Sequence, residues 1–217
     1  MGAMLKEPVH ITGFPRSGNT RMRQSALYMY LDGKVSYLGF ENIHGAIGKA
    51  NKMSYNHGFN NKKTVYVMRH PFDVVVSYHK FFHMPIEKAI DSLLSGTELW
   101  LSWVDHIDRA KNHPNDILFC KFEKYGEDQL RQVADFIGFE YIDGILEDLA
   151  FDKIYKEQQR QHAYRDKGGV LCCQMACNFL WTGESNKDWK SYMDDKQIKR
   201  VLNECKPTMD ILGYSYD

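Results

Sequence analysis

No excess of either charge marks this chain: 28 lysines and arginines stand against 28 aspartates and glutamates. A general binder of nucleic acid or of an acidic membrane surface carries a basic surplus, so both are set aside as partners. Long hydrophobic runs are missing too. None approaches the ~20 apolar residues of a membrane-crossing helix, and no secretory leader is legible at the N-terminus. Met1-Gly2-Ala3 ahead of Met4 reads as an expression remnant. Internal repeats, low-complexity tracts and long linkers are also missing, which leaves a single domain over residues 1–217. Its 43% hydrophobic composition is enough for one substantial core.

Cysteine is sparse and odd in number: Cys120, Cys172, Cys173, Cys177 and Cys205. Such a set without a leader reads as reduced thiols rather than a disulfide framework. Cys172-Cys173-x3-Cys177 is poorly spaced for a tetrahedral zinc site, and no Cys/His pair with ligand spacing follows. Buried or incidental thiols are expected, and no metal.

What is present begins at Gly13-Phe14-Pro15-Arg16-Ser17-Gly18-Asn19-Thr20. A short apolar run precedes it and a helical segment, Arg21 to Leu31, follows. Strand, glycine loop and helix N-terminus together cradle phosphate groups. The spacing is that of a P-loop, with Asn19 where its lysine should stand. The loop's own cation, Arg16, comes three residues earlier. Backbone N–H groups can still hold phosphate, but the lysine that reaches the β- and γ-phosphates of a nucleoside triphosphate is gone. A phosphate-like ligand of another kind is implied.

Thr64-Val65-Tyr66-Val67-Met68 reads as a buried strand, and it ends at Arg69-His70-Pro71-Phe72-Asp73. Pro71 suits the first turn of a helix. A nucleotide kinase or GTPase ends this strand in an aspartate that helps hold Mg²⁺. Arg69 instead repels a metal and attracts an anion. Ser77, two turns into the helix, adds a hydroxyl.

Strands are predicted at about 8–13, 35–40, 64–69 and 116–121, and helices at 18–31, 71–83, 85–95, 98–112, 126–138 and 195–204. Gly138 and Gly213 read as helix-ending glycines. Alternation of strands and helices predicts an α/β fold, three-layer α/β/α with a central parallel sheet, like that of P-loop NTPases. Ligands then bind beyond the carboxyl ends of the strands, where both phosphate segments lie.

Pro15-Arg16-Ser17-Gly18-Asn19-Thr20 resembles the 5′-phosphosulfate loop of the sulfotransferases that use 3′-phosphoadenosine 5′-phosphosulfate (PAPS). Arg69-x7-Ser77, within Val65 to Tyr78, resembles their 3′-phosphate motif. The two occur in order, about 50 residues apart, each between a strand and a helix. The resemblance spans about residues 9–213. It implies a soluble, cytoplasmic enzyme that moves a sulfuryl group from PAPS to a hydroxyl, less readily an amine, of a small or medium acceptor. In-line displacement then leaves PAP and needs no metal.

The same resemblance implies the site. Arg16, Ser17, Gly18, Asn19, Thr20 and Arg21 would hold the 5′-phosphosulfate end, with Arg16 where family members often carry lysine. Arginine keeps the charge but does not readily give up its proton, so Arg16 should act electrostatically. Arg21 stands where the family often has tryptophan, on a base or on a solvated helix face. Arg69 and Ser77 would hold the 3′-phosphate. Phe151 resembles an adenine-stacking phenylalanine, against the reading of an ordinary core residue. Gly183, Trp189 and Lys190 match a late element of the family. There Trp181 and Thr182 replace an arginine and a lysine, and Lys187 or Arg165 would have to substitute.

The family's base corresponds best to His57, in Met53-Ser54-Tyr55-Asn56-His57-Gly58, with His44 as the other choice. His79 and His83 are placed to line the acceptor site, and His70 reads as structural. Phe122 takes the place of a family tyrosine, and the aromatics of Trp100-Leu101-Ser102-Trp103 read as core. Residues 160–187 lack periodicity; in the family this region partly covers the donor. The shortening relative to the family falls mostly between residues 31 and 63, where acceptor-pocket loops sit. Near 196–205 nothing matches the family's short dimer motif, so the oligomeric state stays open. Two other readings remain: a P-loop kinase or nucleotidase, opposed by Asn19 and Arg69, and a PAP- or PAPS-binding protein without turnover.

Overall fold

The computed structural model describes residues 10–30, 63–97, 101–114, 116–150 and 189–216. Three parallel strands form the described sheet in the order β1 (His10–Gly13), β2 (Thr64–Met68) and β3 (Ile117–Lys121). Side chains alternate between its two faces, as a pleated strand requires. Tyr66, Met68 and Phe119 face one helical layer, while Ile11, Val65, Val67 and Cys120 face the other. The strands are therefore apolar on both sides, the pattern of a parallel sheet covered by helices.

On the first face pack α2 (Pro71–Phe82), α3 (Ile86–Ser95), α4 (Trp103–Lys111) and α7 (Asp195–Leu212). Trp103, Tyr78, Ile90 and Met209 are buried there. The second face is covered by α1 (Asn19–Tyr30), α5 (Glu127–Ile137) and the single turn α6 (Ile145–Asp148), through Met22, Leu130, Val133 and Ile145. This is the three-layer α/β/α arrangement expected from the alternation of elements.

Most expected elements are found within two residues of their predicted ends; the strand at 35–40 lies outside the described residues. Two helices differ. The one expected from residue 98 begins at Trp103, because Ser102 caps it: its Oγ accepts from the Asp105 N–H at 3.1 Å. The one expected to stop at 204 runs to Leu212 with Pro207 inside it. Thr208 and Met209, both buried, carry that helix past the proline, so packing overrides a local breaker. It opens with a capping box, Asp194 with Gln197, and ends at Gly213 in the left-handed conformation, as α5 does at Gly138. Cys120 and Cys205 are free and buried, and burial pushes both thiols up to about 12. Cys172, Cys173 and Cys177 lie outside the described residues.

Candidate phosphate-binding site

Strand register builds the site. Gly13 pairs with Val67, and Val67 with Cys120. The chain thus leaves all three strands at one level, which sets the loop 14–18, Arg69-His70 and Phe122-Glu123 side by side beyond the carboxyl ends.

The loop is held from several sides. Ser17 N–H donates to the Phe14 carbonyl at 3.1 Å. The Phe14 N–H donates to the Tyr66 hydroxyl, whose oxygen lies 2.7 Å from His106 Nδ1 in the core. A Cβ on Gly13 would lie 2.0 Å from the Val67 carbonyl oxygen, so only glycine lets the loop leave β1 this close to β2. Arg16 (φ 67°) and Gly18 (φ 92°) are both left-handed. Alternating handedness of this kind curls successive N–H groups towards one point, a nest for an anion. Arg16 holds a conformation that costs a non-glycine residue ~1–3 kcal/mol, which is usual where function demands it.

Asn19, in the place of the P-loop lysine, turns inward. Its Nδ2 donates to the Gly13 and Phe14 carbonyls at 3.1 and 3.3 Å, bracing the loop from behind. Thr20 follows it in the first turn of α1.

Two guanidinium groups meet over the loop. Arg69 donates through Nη1 to the Arg16 carbonyl at 3.2 Å and packs over the Phe122 ring at 4.4 Å. Arg16 donates through Nε to Ser77 Oγ at 3.1 Å and lies 4.0 Å over the Phe81 ring. Burial pushes Arg16 down to about 10, and the like charge of Arg69 adds to the fall. Arg16 still stays protonated at neutral pH. Burial also lowers Arg69, while Asp73, Glu123 and Tyr214 offset part of the loss. Two like charges brought together with little water favour an anion between them.

Buried polar atoms at the same place point the same way. Ser17 is fully buried and Arg69 is 6% exposed. Ser17 Oγ, Arg69 Nε and Arg21 Nε have no partner among the described residues. An unpaired buried donor costs ~1–3 kcal/mol, so these donors suit an anionic ligand. The residues thus fit a phosphate-bearing donor of the kind the loop motif implies. Among the described residues no group of three or more His, Cys, Asp or Glu could hold a metal.

Of the residues expected to act together, the structure gathers Arg16, Ser17, Gly18, Asn19, Arg69 and Ser77. Arg21 is next to them, but its guanidinium lies over the Tyr125 ring at 4.5 Å. His57, His44, Phe151, Arg165, Trp181, Thr182, Gly183 and Lys187 lie outside the described residues. Trp189 of the late element stacks on Phe72 at 4.2 Å. His70 is structural: it is buried, and its Nε2 donates to the Ser215 carbonyl at 2.8 Å. His79 Nδ1 donates to the Met84 carbonyl at 2.6 Å, and His83 is exposed at the end of α2. Trp103 is core, as expected.

Sequence reasoning missed the aromatic supports. Phe122 packs so tightly on the loop that a Cβ on Gly18 would fall 2.2 Å from its ring. Phe81 seats Arg16, and Tyr125 seats Arg21. Phe122 was legible only as the residue in place of a family tyrosine, with no sign that it supports the loop; Phe81 carried a weak signal, four residues after Ser77 on the same helix face.

Residues 49–213 match the sulfotransferase domain family, and the chain belongs to it. Flavonol 3-sulfotransferase of Flaveria bidentis is 25% identical over 167 residues, which cover 65% of this chain and 53% of that protein. Human sulfotransferase 1C2 is 26% identical over 158 residues, covering 65% and 52%. The chain thus spans about half the length of the curated relatives it matches. Retinol dehydratase, solved with retinol and PAP, superposes with a TM-score of 0.65 at 17% identity over 99% of this chain and 85% of that one. Mouse sulfotransferase SULT7A1, solved with PAP, gives 0.60 at 17% identity over 94% and 85%. These structures share the fold. No helix among the described residues is long and apolar enough to cross a membrane.

Proposed function

We propose that the protein transfers a sulfuryl group from PAPS to the hydroxyl, less readily the amine, of a small or medium acceptor and releases PAP. The observation that carries this reading is the placement of Arg16 and Arg69 over a left-handed glycine loop, with buried donors that lack partners among the described residues. Family membership and the relatives' names support it. PAPS supplies the activated sulfuryl group. Arg16, Ser17, Gly18, Asn19, Thr20 and Arg21 then surround the 5′ end, chiefly through backbone N–H groups and the charge of Arg16. Arg69 and Ser77 take the 3′-phosphate, the group that distinguishes PAPS from other adenylates. Phe151 stacks on the adenine, and Gly183 belongs to the late element that helps hold the 3′-phosphate.

His57 accepts the acceptor's proton as the new S–O bond forms and the bond to the phosphate oxygen breaks, with His44 as the other choice for that role. Arg16 stabilises the leaving oxygen electrostatically, since a guanidinium does not give up its proton at neutral pH. Metal independence is part of the proposal, because a cation, Arg69, stands where Mg²⁺ would need an acid. A cytoplasmic location goes with it.

Calorimetric titration with PAP, ADP and ATP, with and without Mg²⁺, tests the reading. Tight, metal-independent binding of PAP alone is expected. Preference for ATP with Mg²⁺ would return the chain to the kinases, and PAP binding with no transfer to a broad acceptor panel would leave a binding protein. His57→Ala should lower transfer by ~10²–10⁴ while PAP still binds; unchanged turnover would rule His57 out.

A further inference from the structure

The peptide that joins Arg69 to His70 is fixed from outside its own strand and helix. His70 N–H, at the mouth of α2, donates to Glu123 Oε1 at 2.7 Å. His70 at the N-cap makes no side-chain cap of its own, and among the described residues the Glu123 carboxylate is what holds its N–H. The second oxygen of the same carboxylate accepts from the Tyr214 hydroxyl at 3.2 Å. Tyr214 follows directly on the residue that ends α7. Its ring meets the His70 ring edge-on at 5.2 Å. Neighbours on both sides of Tyr214 are anchored too: Lys121 Nζ donates to the Gly213 carbonyl at 3.0 Å, and His70 Nε2 to the Ser215 carbonyl at 2.8 Å.

Three successive residues after α7 are therefore tied to the end of β3, to Glu123 and to His70. Each of those touches the turn that presents Arg69. A carboxylate held at both oxygens fixes the orientation of the peptide it accepts from, and with it the direction of the neighbouring guanidinium. Nothing else in the described surroundings of His70 N–H does this.

We propose that Tyr214 is a positioning residue for the 3′-phosphate site, acting through Glu123 on the Arg69-His70 peptide. This rests on the reading of Arg69 as the 3′-phosphate contact. The segment after α7, far from the glycine loop in sequence, thereby sets how well the protein tells PAP from an adenylate without the 3′-phosphate. Arg69 is held on its other side by Phe122 and the Arg16 carbonyl, so Tyr214→Phe loosens the arginine without releasing it. Glu123 is exposed, and water can partly replace the lost donor.

The test compares PAP with adenosine 5′-phosphate by calorimetry on the full chain, in the wild type, Tyr214→Phe and Glu123→Gln. Both variants should weaken PAP by about three- to fivefold and leave adenosine 5′-phosphate unchanged, so that the ratio of affinities falls by that factor. A purely structural role would move both ligands together. Equal losses, or an unchanged ratio in both variants, would overturn this inference alone. A wild type that binds PAP no better than adenosine 5′-phosphate would overturn the reading of Arg69 along with it. Thermal melts of all three proteins show which variant is folded at the assay temperature; Glu123→Gln keeps the shape of the side chain and serves if Tyr214→Phe melts.

Discussion

Gly18→Ala perturbs the loop in two separable ways. The residue sits at φ 92°, where an L side chain is strained, at a cost of ~1–2 kcal/mol. The new methyl would also fall 2.2 Å from Phe122 Cδ2 and 2.6 Å from Cε2, so the ring has to move. Displacing a packed ring adds ~1–3 kcal/mol, which makes the whole about 2–5 kcal/mol. Phe122 is itself pressed against the Arg69 guanidinium, so its displacement should weaken PAP binding as well. A double-mutant cycle with Phe122→Ala in urea separates the parts. In the double variant the backbone strain stays and the clash is gone, so the two single losses should exceed the double loss by ~1–3 kcal/mol. Gly138→Ala serves as the control: φ is 79° but nothing lies within 4 Å of the added methyl, so only the backbone part, ~1–2 kcal/mol, is expected. Additivity of Gly18→Ala and Phe122→Ala within ~0.5 kcal/mol would refute the contact between ring and loop.

Arg16→Gly relieves the left-handed strain and the repulsion from Arg69 while losing the bond to Ser77; the variant should melt no lower than the wild type yet bind PAP at least tenfold more weakly. A lower melting temperature with unchanged binding would contradict both halves. Tyr66→Phe leaves His106 Nδ1 and the Phe14 N–H without their buried partner and should cost ~1–3 kcal/mol in urea, a loss under ~0.5 kcal/mol counting against it. Burial pushes the Asp73 carboxyl up to about 6, with Arg69 pulling it down and Glu123 pushing it up. The folded chain therefore keeps a proton that the unfolded chain has released, so stability from this group is complete below about 3.8 and is lost as pH rises through about 6. Asp73→Asn should be the more stable protein at pH 8, by about 1–2 kcal/mol after allowing for solvent screening. That gap should close towards pH 4, and a constant gap in melts across this range would refute it.

Several features of this chain are carried by neighbours in sequence. The short β-branched and aromatic run at residues 64–68 reads as a buried strand from its own residues, and Pro71 after it starts a helix. Gly13 and Gly18, five residues apart, permit a loop that few other residues could follow. Arg16, Arg69 and Ser77 were legible as candidates for an anion site for that reason, because each takes its meaning from its place within a strand, loop and helix. The fold class follows from the same local periodicities taken in order.

Contacts between distant segments were decided only when the sheet closed. Arg16 meets Ser77 across 61 residues, and Tyr214 meets Glu123 across 91. No pattern of period two or 3.6 encodes such pairs; they follow from the register that sets Gly13, Val67 and Cys120 level. The same register turned Asn19 inward and set Phe122 against Gly18, although composition allowed either residue to face solvent. Local sequence thus determined which residues could bind an anion, since backbone conformation and charge are short-range properties. Tertiary packing decided how those residues are aimed, because burial and strand register depend on the whole chain at once.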